Sequence, residues 1–158
     1  YAFNNYQKRG GNWSLEIIGS GDLYYILKKK ITNNPNISIT TFLQPKEISK
    51  KMVEAKVLIL PSLQEHWGTV VCEAAACGCT LLLSENVGSR EDLLRNGVNG
   101  TSFNPLDNLE LEKKLFLLQN LDDSWYEQSS KVSISLASQK NEISYANAIK
   151  FMLNDKNL

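Results

Sequence analysis

The stretch Pro61-Ser62-Leu63-Gln64-Glu65-His66-Trp67-Gly68-Thr69-Val70-Val71-Cys72-Glu73-Ala74-Ala75-Ala76-Cys77-Gly78 decides the fold. It follows the apolar run Val57-Leu58-Ile59-Leu60, which reads as a buried strand ending at Pro61. A loop then carries Glu65, and a helix starting near Gly68 carries Glu73 in its second turn. Gly68 and Thr69 leave the first helical amides unshielded. The small interior Ala74-Ala75-Ala76-Cys77 lets the helix press closely on a sheet, and Gly78 stops it. In an open parallel sheet, ligands sit beyond the carboxyl ends of the strands, where helix N-termini present unpaired N–H groups.

A site with such amides flanked by two carboxylates suits a ligand that has both phosphates and hydroxyls, because a carboxylate offers two acceptor oxygens to a polyol. A nucleotide sugar is a ligand of that kind. Each carboxylate also has a plain reading. Glu65 alone is an ordinary surface residue, and Glu73 alone is an acid that favours the helix dipole.

Outward from this segment, strands and helices alternate, the pattern of an α/β fold with a doubly wound parallel sheet. Residues 1–8 read as the end of a helix broken by Arg9-Gly10-Gly11, and residues 13–18 as a strand ending in Gly19-Ser20-Gly21. Asp22 is placed to cap a helix through Ile31. A loop at Asn33-Asn34-Pro35-Asn36 leads to a β-branched strand over 37–42 and a short helix over 46–55, with Pro45 just before it. Beyond Gly78 come a strand at 80–84, a short helix at 89–95, the turn Gly97-Val98-Asn99-Gly100 and a strand at 101–103. Asp107 can cap a helix to Gln119, and two more helices are expected over 122–139 and 142–153. The whole of 1–158 reads as one domain, a core over about 1–120 with a helical tail over about 121–158.

The bulk properties narrow the class. With 17 basic and 17 acidic residues the formal net charge is zero, which argues against a broad nucleic-acid surface. Lys28-Lys29-Lys30, the only basic run, closes a helix, where cations favour the C-terminal end. Cys72, Cys77 and Cys79 are three thiols with poor zinc spacing, read as small buried side chains in a reducing compartment. No metal site is expected. No apolar run is long enough to span a bilayer, and the opening Tyr1-Ala2-Phe3-Asn4-Asn5-Tyr6 is not a signal peptide. Without an initiator Met, the chain reads as an excised fragment.

Pro61-Ser62, Glu65, Trp67-Gly68, Glu73-Ala74 and Ala76-Cys77-Gly78 together resemble the signature of the retaining glycosyltransferases of family 4, which have the GT-B architecture. That pattern places two glutamates with seven residues between them. The rest follows in order. Leu15-Glu16-Ile17-Ile18-Gly19-Ser20-Gly21 resembles the strand and Gly-x-Gly turn near the start of the family's C-terminal lobe, and Ile39-Thr40-Thr41-Phe42-Leu43 the strand before its base-binding loop. Gln44 stands where the family often has Gly. Asn86-Val87-Gly88-Ser89-Arg90-Glu91 resembles a Gly-Gly-x-x-Glu loop, with Ser89 for the second Gly, and Asn96 to Gly100 and Pro105-Leu106-Asp107 also fit. The resemblance covers about residues 1–120.

It implies a Rossmann-like donor-binding lobe, truncated at its N-terminal edge. The first strand of the lobe, the Gly-Arg and Lys-Gly cations after it, and the acceptor-binding N-terminal lobe all lie outside these residues. The intact enzyme would move a sugar from a nucleotide diphosphate sugar, UDP- or GDP-linked, to an acceptor hydroxyl, with the departing phosphate assisting and no metal. By position, Glu65 would contact the donor sugar as the catalytic carboxylate. Glu73 would hold the ribose hydroxyls, and the amides of Gly68, Thr69 and Val70 would meet the diphosphate or sugar. Gly19 and Gly21 would either pass close to the donor or simply make a turn. Ser62 and Trp67 would shape the loop. His66, the only histidine, invites a catalytic role by standing between two candidate site residues, whereas in the family the position after the first Glu varies and a functional histidine typically comes from the other lobe. Asp22 and Arg90 read as a cap and a loop charge. The acceptor implied by family habit is a glycan or lipid-linked saccharide of bacterial surface polysaccharide synthesis, such as O-antigen, in the cytoplasm or at the inner membrane face. The rival readings are a non-catalytic nucleotide- or partner-binding module and a nucleotide-sugar epimerase lobe. A phosphorylase would need a pyridoxal phosphate lysine, which no loop supplies.

Overall fold

The computed structural model describes residues 1–31 and 34–140. The helix expected over 142–153 lies outside the described residues. The order is α1 (Ala2–Lys8), β1 (Leu15–Ile18), α2 (Tyr24–Ile31), β2 (Ile37–Thr40), α3 (Pro45–Glu54) and β3 (Val57–Leu60). It continues with α4 (Thr69–Ala76), β4 (Thr80–Ser84), α5 (Arg90–Leu93), β5 (Gly100–Phe103), α6 (Asn108–Gln119) and α7 (Asp123–Ser138). No helix among the described residues is long and apolar enough to cross a membrane.

Every strand pairing is parallel, as the alternation of elements predicts, with β1 beside β2 and β3-β4-β5 in that order. The expected single sheet is nevertheless divided: among the described residues no ladder joins β1 to β3. One layer of side chains still spans the division. Leu15 of β1, Ile37 of β2, and Val57 and Ile59 of β3 all pack against Phe3, Tyr6, Leu82, Phe103, Leu115 and Leu118.

The fully buried β4 separates two cores, because side chains alternate across a strand. Leu82 points to the face covered by α1 and α6. Leu81 and Leu83 point to the opposite face, where Val71, Ala74 and Ala75 of α4 meet Leu93, Leu94 and Met52. The small residues of α4 also let α7 lie close. A Cβ on Gly78 would come within 2.3 Å of Ser130 Oγ, and the φ of +82° suits only glycine at this helix stop.

Tyr6 holds α1 in place. Its ring is completely buried, its hydroxyl donates to Gln119 Oε1, and it accepts the Trp13 amide at 3.1 Å. Gly11 lies against that ring, where a Cβ would stand 2.3 Å from Tyr6 Cζ. Since the hydroxyl takes up the Trp13 amide, β1 begins at Leu15 rather than at residue 13. Asp22 does not cap α2. The Tyr24 amide bonds Gly21 O at 2.9 Å, so a turn intervenes and the helix starts two residues later. Pro45 is the first residue of α3, and Glu47 accepts the Gln44 amide at 2.8 Å. Asp107 and Asp122 cap their helices, accepting amides of Leu109 and Glu110, and of Trp125. Of the three thiols only Cys79 is fully buried. Burial, and next the neighbouring Cys77, push it up to about 11, while Cys72 and Cys77 are half-buried.

Candidate functional site

The loop after β3 and the loop after β4 are fastened side by side. Glu65 and Val87 form an isolated parallel bridge. The Glu65 amide donates to Asn86 O (3.1 Å), the Gly88 amide to Glu65 O (2.9 Å) and the Ser89 amide to Trp67 O (3.0 Å). Ser84 Oγ reinforces this by donating to Ser62 O at 2.7 Å, and Asn86 Nδ2 donates to Leu63 O at 2.8 Å. Both strands thus continue, after a break, as a short ladder at their carboxyl ends. Main-chain bonding of this kind holds a loop rigid whatever its side chains do.

Two glycines permit it. Gly68 precedes α4 at φ +84°, a left-handed conformation that costs other residues about 1–2 kcal/mol. Gly88 touches the facing loop so closely that a Cβ would fall 1.8 Å from the His66 carbonyl oxygen.

Between the loops lies an open cleft of about 520 Å³ lined by Leu63, Glu65, His66, Glu85, Asn86, Gly88, Arg90 and Glu91, among others. Its charged groups are three carboxylates and one guanidinium. Arg90 pairs with Glu91, and its Nε is buried without a hydrogen-bond partner among the described residues, as is Ser89 Oγ. Glu65 is half-buried, and its carboxylate accepts the Trp67 amide at 3.3 Å.

The predicted residues fall into three groups. Glu65 and His66 line the cleft. Gly68, Thr69, Val70 and Glu73 lie at the start of α4, with Gly68 buried, Val70 half-buried, and Thr69 and Glu73 exposed; none of the four lines the cleft. Gly19 and Gly21 are exposed in the turn after β1, and a Cβ on either would meet nothing within 4 Å. Arg90, read from sequence as a loop charge, is a cleft residue, and so are Glu85 and Glu91. Their signal was Gly88, whose place in the resembled loop announces a close backbone approach; the sequence does not say against which segment.

A family model described as glycosyl transferases group 1 matches residues 1–132. The chain belongs to this glycosyltransferase family. Solved structures agree with the fold of this group 1 domain. Sucrose-phosphate synthase from Thermosynechococcus elongatus superposes with a TM-score of 0.78 at 16% identity, covering 96% of this chain and 40% of that one. The C-terminal domain of LpcC, a glycosyl transferase group 1 family protein from Francisella tularensis, gives 0.74 at 19%, covering 88% and 75%. HepE from Anabaena, solved in complex with UDP and glucose, gives 0.79 at 19%, covering 98% and 44%. The group 1 domain therefore spans less than half of the sucrose-phosphate synthase and HepE chains. Among curated proteins no sequence matches it.

Proposed function

We propose that this group 1 domain is the donor-binding lobe of a retaining, family 4 glycosyltransferase. The intact enzyme moves a sugar from a nucleotide diphosphate sugar to an acceptor hydroxyl, in bacterial surface polysaccharide synthesis at the cytoplasmic face of the membrane. The observation that carries this reading is the Glu65–Gly68 loop, fixed by the Val87–Ser89 ladder at the carboxyl ends of β3 and β4 and leading directly into α4. A rigid loop of this kind holds the Glu65 carboxylate and the first turn of α4 in fixed positions, and fixed groups stabilise developing charge without reorganisation.

In this reading Glu65 is the catalytic carboxylate and orients the donor sugar. The amides of Gly68, Thr69 and Val70 hold the diphosphate or sugar, and α4 favours the anion with its positive end. Glu73 holds the ribose. Those amides, with cations from elsewhere in the enzyme, take the place of a metal. Several structural relatives were solved with UDP or UDP-sugars, which makes uridine donors the first to try. The lobe alone is expected to bind donor weakly and not to turn over.

The test is ligand-observed NMR of the chain with UDP, GDP and ADP and their common sugar conjugates, repeated on Glu73→Ala. Selective saturation of one nucleotide's ribose and base, lost in the variant, supports the reading. Equal saturation of all three in both proteins would exclude a ribose-holding role for Glu73. A chain that binds none of them, even at high ligand concentration, would contradict the donor-lobe reading.

A further inference from the structure

Helix α2 turns its apolar residues in two directions. Tyr24, Leu27 and Ile31 fall on one stripe at helical spacing, and Tyr24 and Ile31 are half-buried. Tyr25 and Ile26 fall on the opposite side, 80% and 53% exposed, and Leu23, in the turn before the helix, is 64% exposed. A helix that served only the core would keep such residues on its inner stripe. Lys29 stands one turn beyond Tyr25 on the same outer face, with Lys28 and Lys30 flanking it. The outward surface is therefore apolar and aromatic in its first turn and cationic in its second.

The lysines have a plain reading as cations at a helix C-terminus, which leaves Tyr25 and Ile26 unexplained. The charge around them is one-sided. Between Glu16 and Glu47 the only acid is Asp22, against Lys28, Lys29, Lys30 and Lys46. Residues 1–56, which hold α1 to α3, carry nine Lys and Arg and four Asp and Glu, whereas residues 57–140 carry six and eleven. A chain of zero formal charge is thus divided by sign, and the part that bears α2 is the positive one. A field of this shape turns the molecule on approach to an anionic surface, basic part forward.

We propose that α2 is a docking surface for a lipid bilayer containing anionic phospholipids. Leu23, Tyr25 and Ile26 enter the headgroup region, and Lys28, Lys29 and Lys30 meet the phosphates. Each class of residue does what the other cannot. Tyrosine and isoleucine supply apolar area, the tyrosine with a polar tip suited to the water boundary. Lysines reach the headgroups on long flexible stems. Attachment through one short helix is reversible, since stable anchoring takes more than one such signal. A second copy of this chain is a poorer occupant, because a two-fold contact would set like lysines against each other.

The setting rests on the donor-lobe reading. Only Asp22 and Leu23 separate α2 from the Gly19-Ser20-Gly21 turn. A bilayer held at the first turn of α2 therefore lies beside the loop that carries the two candidate donor glycines. An acceptor carried on a membrane lipid is then presented at that edge of the lobe without leaving the bilayer.

The experiment is flotation of the chain 1–158 with vesicles of phosphatidylcholine alone and of equal parts phosphatidylcholine and phosphatidylglycerol, at low and high salt. Two variants accompany it, Lys28→Gln/Lys29→Gln/Lys30→Gln and Tyr25→Ser/Ile26→Ser. Each is checked for an unchanged thermal midpoint, and UDP binding is followed by ligand-observed NMR. The chain should float with the acidic vesicles and not with the neutral ones, and salt should release it. The lysine variant should lose at least about tenfold in partition, since each lysine near an acidic bilayer is worth about fivefold. The Tyr25 and Ile26 variant should lose several-fold. No binding to acidic vesicles, equal binding to both kinds, or binding that neither variant weakens would overturn the proposal. Self-association that the Tyr25 and Ile26 variant abolishes, without vesicle binding, would make a second copy the occupant and overturn it too. Vesicle binding without UDP binding upholds the surface and removes the donor reading. UDP binding without vesicle binding overturns the surface and leaves the donor reading in place.

Discussion

The two halves of this domain are built to different standards. In the β3-β4-β5 half, β4 is buried along its whole length between two cores, and α4 and α7 pack on it through small residues and serines. In the β1-β2 half, no strand residue is fully buried, and α2 has no buried residue at all. Leu23, Tyr25 and Ile26 stand in solvent. The half that carries the Glu65 loop is thus rigid by packing. The half that carries the Gly19-Ser20-Gly21 turn hangs on α1 and one apolar layer. A split of this kind teaches that precision is concentrated where the loops must be aimed.

The sharpest way to break that contrast is in β4. Leu82→Ala removes a side chain with no exposure at the junction of both halves, and it should cost about 3 kcal/mol. The measurement is the urea midpoint at unchanged slope. A cost below 1 kcal/mol would mean that β4 is not the keystone. Next is Gly68→Ala, which forces a side chain into φ +84° and brings its Cβ to 3.2 Å from Glu65 Cγ and 3.3 Å from Leu60 Cδ2. About 1–2 kcal/mol of stability should go, and any UDP binding should fall with it. Unchanged stability and binding would show that the loop tolerates a different entry into α4. The smallest effect belongs to the other half. Tyr25→Ala and Ile26→Ala, each on the exposed face of α2, should stay within about 0.5 kcal/mol of the parent in thermal unfolding. A larger loss from either would give α2 a packing role that its exposure denies.

Much of this was legible in the chain itself. Strand β3 and helix α4 follow from an apolar run, a proline and a glycine-bounded small-residue segment, and Asp107 announced α6 as a side-chain cap does, while Asp122 marked only where α7 was expected to begin. Asp22 misled because a side chain able to cap says nothing of whether the main chain nearby prefers a turn, and the Gly21 carbonyl took the Tyr24 amide first. Arg90 misled for another reason. Its place in the cleft depends on two loops more than twenty residues apart meeting edge to edge, a contact between main chains that no local pattern encodes. The division between β1 and β3 escapes periodicity, which describes which face of a strand is covered and is silent about its edges; only the resemblance, which implies a first strand outside these residues, pointed to it.

The contact between Tyr6 and Gly11 has a consequence for inheritance. The phenol fills the volume that any side chain at position 11 would need, so the two sites constitute one unit of change. A methyl group gained at 11 is a loss while the ring remains, yet it becomes tolerable once a smaller residue stands at 6. Lineages of this domain should therefore replace the two positions together, and the order in which they do so is constrained, the ring yielding first.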